Sequence, residues 1–153
     1  MVKTKALSLL RSAELTHDMS TTHLKKLASL ASEVSFTEDE IICQQGEKGT
    51  ALYLIESGEI VVETDTKEQG KVVMYTVGAG EFFGWSSLIP SERKMAWTRA
   101  TKPTLAIAID ATKLQDAWQH DQTLETAVIR RAGRAMVDRI KDIRHHLAGM
   151  FNP

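Results

Sequence analysis

The sequence predicts a mainly β protein with helices at both ends. Three observations carry this. Residues 33–109 are short runs rich in Val, Ile, Tyr and Thr, glycines punctuate them at 46, 49, 58, 70, 78, 80 and 84, and both flanks have helical spacing. In the first flank, residues 1–32, Ser20 or Thr21 can cap a helix on which Leu24, Leu27, Leu30 and Ala31 share a face away from Lys25 and Lys26. Within the β unit, residues 51–56 and 59–64 flank Ser57-Gly58, a pair of turn formers that predicts a tight hairpin. Residues 66–70 then form a solvated turn into a strand at 71–76. Two further strands, 97–101 and 104–109, are joined across Lys102-Pro103, and Leu105, Ile107 and Ile109 alternate with Ala106 and Ala108, large side chains on one face and small ones on the other.

Asp110 is expected to cap a short helix carrying Leu114, Ala117 and Trp118, and Asp121 a long one reaching about residue 148. On the long helix Ile129, Gly133, Met136, Ile140, Ile143, Leu147 and Met150 advance in alternating steps of four and three as a heptad seam, while Leu124, Val128, Ala132 and Ala135 form an adjacent stripe. A helix of about 27 residues is ~40 Å long, more than a small barrel covers. One stripe is therefore assigned to the β unit and the seam to a second copy, as a homodimer; packing of both on the same domain is the alternative. Residues 122–153 carry six Lys/Arg against three acids, so the helix is a basic rod on an acidic body.

Composition narrows the function classes. The chain of 153 residues is 42% hydrophobic and 25% charged, as in ordinary globular proteins, and a single domain spanning 1–153 is expected. A net charge of −1 supplies no global field for nucleic acid or an anionic membrane. No apolar run approaches the ~20 residues of a membrane span, and the apolar patch after Met1 is too short for a secretory signal, so a cytoplasmic location is expected. The single cysteine, Cys43, excludes an intramolecular disulfide and is assigned to a buried strand position.

Three words then carry a resemblance: Phe-Thr-Glu-Asp-Glu-Ile-Ile-Cys-Gln-Gln-Gly-Glu at 36–47, Ala-Leu-Tyr-Leu-Ile-Glu-Ser-Gly-Glu-Ile-Val-Val at 51–62, and Gly-Ala-Gly-Glu-Phe-Phe-Gly at 78–84. In this order, before a long helix, they resemble the cyclic nucleotide-binding domain of the catabolite activator protein (Crp/Fnr-like) family over about residues 22–148. The resemblance implies a jelly-roll barrel, that is, a double-stranded β-helix of cupin-like form, flanked by a helical segment at 1–32 and C-terminal helices at 110–150 and dimerised through the long last helix. It also implies a non-enzymatic regulatory role and a phosphate-binding cassette at 80–96.

In such a cassette, amides at the start of a short helix face an anion and glycine lets it come close. Gly84, Trp85 and Ser86 occupy those positions. The family's acidic residue after Phe-Gly is here Trp85, which removes the ribose acceptor. Lys94 stands at the family's arginine position, with Met95 and Ala96 after it; lysine keeps the charge without the bidentate fork. Arg93 is the alternative cation, and Ser86 and Ser87 the alternative hydroxyls. Arg139, where family members close over the base, is a candidate for reaching the pocket or pairing with an acid. Two outcomes stay open: the pocket binds cAMP, cGMP or another anionic ligand, or Trp85 and Met95 fill it and the domain is a dimerisation or protein-interaction module. No DNA-reading module follows the long helix within this chain, so a protein partner is considered.

Enzyme chemistry of cupin type needs histidines converging from strands. Residues 33–109 contain none; His17, His23, His120, His145 and His146 all fall in the helical flanks. His145-His146 near Asp142 are expected to be solvated rather than metal ligands, Glu56 and Glu59 to be solvated rather than a catalytic pair, and Arg99 to be a surface cation.

Overall fold

The computed structural model describes residues 2–89 and 96–151. Two helices, α1 (Val2–Ser12) and α2 (Thr21–Ser29), lead into β1 (Ala31–Phe36). Ser20 is the cap of α2, its hydroxyl accepting from the His23 amide. The helix is shorter than its apolar spacing suggested, because Ala31 already pairs with Ile109 in a sheet. There follow β2 (Ile41–Cys43), β3 (Ala51–Ser57), β4 (Glu59–Thr66), β5 (Gly70–Gly78), β6 (Phe82–Phe83), a 3-10 turn (Trp85–Leu88), β7 (Trp97–Ala100), β8 (Thr104–Asp110), α3 (Ala111–His120) and α4 (Gln122–Phe151).

The strands make two four-stranded antiparallel sheets, ordered β1-β8-β3-β6 and β2-β7-β4-β5. Alternation along the first sheet gives each face its own core. Ile55 and Phe83 turn inward to meet Ile60, Val62, Val77 and Ala100 of the second sheet. Leu52, Leu54, Phe82, Ile107 and Ile109 turn outward to meet Leu10, Leu27, Leu114, Trp118 and Val128 of the helices. A sheet covered on both faces explains why β3 reads as an almost continuous apolar run. Ala106 and Ala108 are the inward partners of Ile107 and Ile109, while Leu105, at the strand's start, is 44% exposed rather than part of the large-residue face.

Ser57-Gly58 is not a hairpin. β3 and β4 lie in different sheets, and the pair carries the chain from one to the other. Gly58 has φ +106°, and a Cβ there would sit 2.3 Å from Thr104 Oγ1 and 2.6 Å from Thr104 Cα. Turn-forming residues mark a change of direction but do not say which strand the chain pairs with next. The hairpin at Thr66–Gly70, by contrast, does join paired strands, β4 and β5.

Asp110 caps α3 by accepting from the Lys113 amide, and the Asp121 carboxylate accepts from the amides of Thr123 and Leu124 at the start of α4. The two stripes of α4 have different fates. Leu124, Val128, Ala132 and Ala135 are buried, while Ile129, Ile140 and Leu147 of the seam are 40–57% exposed and Met136 of the seam packs against this chain's own core. The side chain of Met150 lies outside the described residues.

Arg131, on α4, donates from Nε to Asp18 Oδ1 at 2.7 Å and so ties the helix to the segment after α1. This hydrogen bond holds the Asp18 carboxyl below its ordinary value of 3.8, and the Thr123 hydroxyl does the same for Asp121. Depressed carboxylate pKa values give stability that is fully present above the unfolded value and lost as pH falls through the folded one. Carboxyl resonances of Asp18 and Asp121 followed by NMR should titrate below pH 3.8, and Arg131→Met should return only Asp18 to its ordinary value. Normal midpoints in the unsubstituted chain would show that these contacts do not persist in solution.

Candidate ligand pocket beneath the long helix

The open end of the sheet sandwich is roofed by α4, and between them lies a cavity of about 560 Å³. Its floor is Val62 and Thr64 of β4, Met74 and Tyr75 of β5, and Thr98 of β7. Phe83, Gly84, Trp85, Ser86 and Ala96 make one side, and Met136, Arg139, Ile140 and Ile143 of α4 make the roof. The volume falls in the range of about 300–1,000 Å³ typical of small-molecule sites. Trp85 therefore lines the hollow without filling it.

Gly84 places the turn. Its φ of +84° is a left-handed conformation that favours glycine, and it swings the chain from β6 into the 3-10 turn that presents Trp85 and Ser86. Of the sequence candidates, Gly84, Trp85, Ser86, Ala96 and Arg139 come together on this cavity. Ser87 does not join them. Its hydroxyl donates to the Gly84 carbonyl at 2.7 Å, and its backbone packs so closely on Gly49 that a Cβ at 49 would lie 2.9 Å from Ser87 Cα. Arg93, Lys94 and Met95 lie outside the described residues.

Arg139 is the principal charged group. It continues the buried stripe of α4 and is only 5% exposed. Nη1 donates to Glu81 Oε2 at 3.1 Å and Nη2 to Glu14 Oε2 at 3.2 Å, and the guanidinium carbon lies 5.6 Å from the Tyr75 ring centre and 5.8 Å from that of Phe82. Such distances allow attraction to the ring faces. Arg139 thus both reaches the pocket and pairs with acids. Glu81 is positioned by its own side chain, Oε1 accepting from the Gly78 amide at 2.8 Å, and the Glu14 amide donates to the Gly80 carbonyl at 2.8 Å. The long helix, the Gly78–Glu81 turn and the segment after α1 are bound into one network. Burial pushes the Tyr75 phenol up, opposed by the Arg139 charge and a hydrogen bond with Trp85.

Three buried side-chain atoms have no hydrogen-bond partner among the described residues: Ser86 Oγ, Thr98 Oγ1 and Arg139 Nε. All three belong to residues in the wall of this cavity. An unsatisfied buried polar group costs about 1–3 kcal/mol, a cost that an ordered water, an ion or a ligand relieves.

Other candidates resolve differently. Arg99 is not a free surface cation; it pairs with Glu63, which is 7% exposed, at 3.1 Å and with Asp39 at 3.2 Å, and the Glu63 hydrogen bond raises its pKa. Glu56 pairs with Lys5, and Glu59 accepts from the Thr101 hydroxyl at 2.7 Å, so the two are engaged separately. Cys43 is buried in β2. No group of three or more metal-ligating side chains occurs among the described residues, and no helix there is long and apolar enough to cross a membrane. The sequence reading missed Glu14, Glu81, Tyr75 and Thr98. Glu81 stood inside a quoted word, but nothing in the spacing linked it to a helix 58 residues later.

Residues 33–121 match the family model described as "Cyclic nucleotide-binding domain". A cGMP-dependent protein kinase of Eimeria tenella is 33% identical over 75 residues, 49% of this chain and 7% of that one. The cAMP-activated global transcriptional regulator Vfr of Pseudomonas aeruginosa is 23% identical over 131 residues, 83% of this chain and 59% of that one. The first four curated relatives are matched over only 7–18% of their length. Among solved structures, a cyclic nucleotide-binding domain from Methylobacillus flagellatus superposes with a TM-score of 0.81 at 22% identity, covering 97% of this chain and 83% of that one. This likeness establishes the jelly-roll fold.

Proposed function

Because the chain belongs to the cyclic nucleotide-binding domain family, we propose that it is a regulatory sensor whose cavity takes a nucleotide or another small ligand and whose α4 transmits the occupancy to a second copy. The observation that carries this reading is the cavity of about 560 Å³ whose wall joins Gly84, Trp85 and Ser86 to Arg139, Ile140 and Ile143 of α4. Lys94 or Arg93 would supply the countercharge for an anionic ligand.

Transmission has a physical route. Met136, Ile140 and Ile143 line the cavity and also belong to the heptad seam, and Ile140 is 57% exposed. A guest pressing on these side chains changes the surface offered to a partner helix. Arg139 holds the same stretch of α4 through Glu14 and Glu81, so a ligand that displaces its guanidinium alters the anchoring. The ligand shifts the helix only by its difference in affinity for the two arrangements.

Calorimetric titration with cAMP and cGMP, paired with hydrogen exchange over residues 129–147, tests this reading. Saturable binding that changes exchange in α4, with affinity reduced in Lys94→Ala, is the expected result. If neither these nucleotides nor cyclic dinucleotides bind, the domain is a ligand-free dimerisation module instead. For the assembly, light scattering of Ile140→Glu should give half the mass of the unsubstituted chain, since a charge on the seam opposes helix pairing. An unchanged mass would remove the seam from the interface.

A further inference from the structure

We infer that α4 carries, on its solvent side, a docking row for an acidic helix of another protein. Arg130, Arg134, Val137, Lys141, Arg144 and Ala148 advance in steps of four and three, the spacing that keeps side chains on one row of a helix, and all six are exposed. From Arg130 to Arg144 the row is about 21 Å long at 1.5 Å per residue. Neither the cavity wall nor the heptad seam uses any of these residues. Of the Lys and Arg residues of α4, Arg131 is engaged by Asp18 and Arg139 by Glu14 and Glu81, and both lie off the row. The four cations on the row have no ion pair or side-chain hydrogen bond among the described residues. Asp138 stands within helical reach of Arg134 and Lys141, yet pairs with neither.

The chemistry of the partner follows from what the row lacks. Its cations are unbalanced and it holds no acid, so it is a template of one sign, and complementary charge is what selects a helical partner beside an apolar seam. Val137, 52% exposed, stands in the middle of the row and offers an apolar contact between two pairs of cations. A matching helix carries carboxylates at the same alternating steps with an apolar side chain between them. The same row on a second copy is repelled, because its charge has the same sign. A nucleic-acid backbone leaves Val137 without an apolar partner, and the chain as a whole carries a net charge of −1. The row runs beside the seam, and helices joined along the seam leave Arg134 and Lys141 facing outward. Docking is therefore compatible with self-pairing and independent of what the cavity holds.

The test uses the whole chain and a fluorescein-labelled helical peptide with Glu in this spacing around a central Leu, together with its Gln and Lys counterparts and a short duplex DNA. Fluorescence anisotropy at low salt should show saturable binding of the Glu peptide and none of the Gln peptide. Arg134→Glu combined with Lys141→Glu should weaken the Glu peptide at least about tenfold and bind the Lys peptide in its place. Val137→Ser should weaken the Glu peptide about threefold. Light-scattering mass and Tm should be unchanged in these variants. If the double reversal lowers the Tm, Arg134→Gln combined with Lys141→Gln replaces it, with a loss of about threefold expected. Equal binding of the Gln peptide, no binding of the Glu peptide by the unsubstituted chain, or tighter binding of the DNA overturns the proposal. A fall in mass on the double reversal places the row in a contact between copies and overturns it as well.

Discussion

Arg139→Met will destabilise the domain by about 2–3 kcal/mol and abolish any effect of bound ligand on hydrogen exchange in α4. Removing one partner of a buried ion pair costs about 3–5 kcal/mol when the remaining charge is stranded. Here the stranded carboxylates, Glu14 and Glu81, are 32% and 35% exposed and regain water, which lowers the figure. Methionine keeps the apolar stem over Tyr75 and Phe82, so the loss reports the guanidinium rather than a void. Urea unfolding measures the stability change. A loss below about 0.5 kcal/mol would mean that the network is no stronger than a surface ion pair and that α4 is held by its apolar stripe alone.

Gly58→Ala will have a larger effect, a loss of about 2–6 kcal/mol centred near about 4, on adding about 1–3 for overpacking and about 1–3 for a strained backbone. The methyl group would stand 2.3 Å from Thr104 Oγ1 and 2.7 Å from the Pro103 carbonyl oxygen, and the φ of +106° is one that L side chains rarely adopt. Thr104 cannot retreat cheaply. It is 1% exposed, and its hydroxyl accepts from the Glu59 amide and donates to the Lys102 carbonyl. The corner joining the two sheets would have to open. Full retention of stability in urea unfolding would show that the crossing is less tightly built than these distances imply.

Local patterns were legible wherever the cause is local. Ser20, Asp110 and Asp121 were readable as caps because a short polar side chain satisfies amides two or three residues ahead. The division of α4 into a buried and an exposed stripe was readable because helical period alone separates 124, 128, 132 and 135 from 129, 140 and 147. Gly84 and its turn were legible through the family word. The partner of each strand was not, as Ser57-Gly58 illustrates: strand pairing is chosen by which faces must be buried together, and that depends on the whole chain.

The pocket divides in the same way. Trp85 and Ser86 were identified from their place after Phe-Gly, and Arg139 from its place on the long helix. Thr98 and Tyr75 look in the sequence like ordinary alternating strand residues, and only closure of the sandwich turns them toward the roof. By itself the sequence determined the family, the element types, the caps and the two-faced helix, because periodicity and short-range hydrogen bonding are written within a few residues. Only the tertiary structure decided that Arg139 joins Glu14 and Glu81 and that Tyr75, Trp85, Thr98 and Arg139 line one hollow, because those relations are between side chains far apart in the chain and exist only once the sheets and α4 have packed.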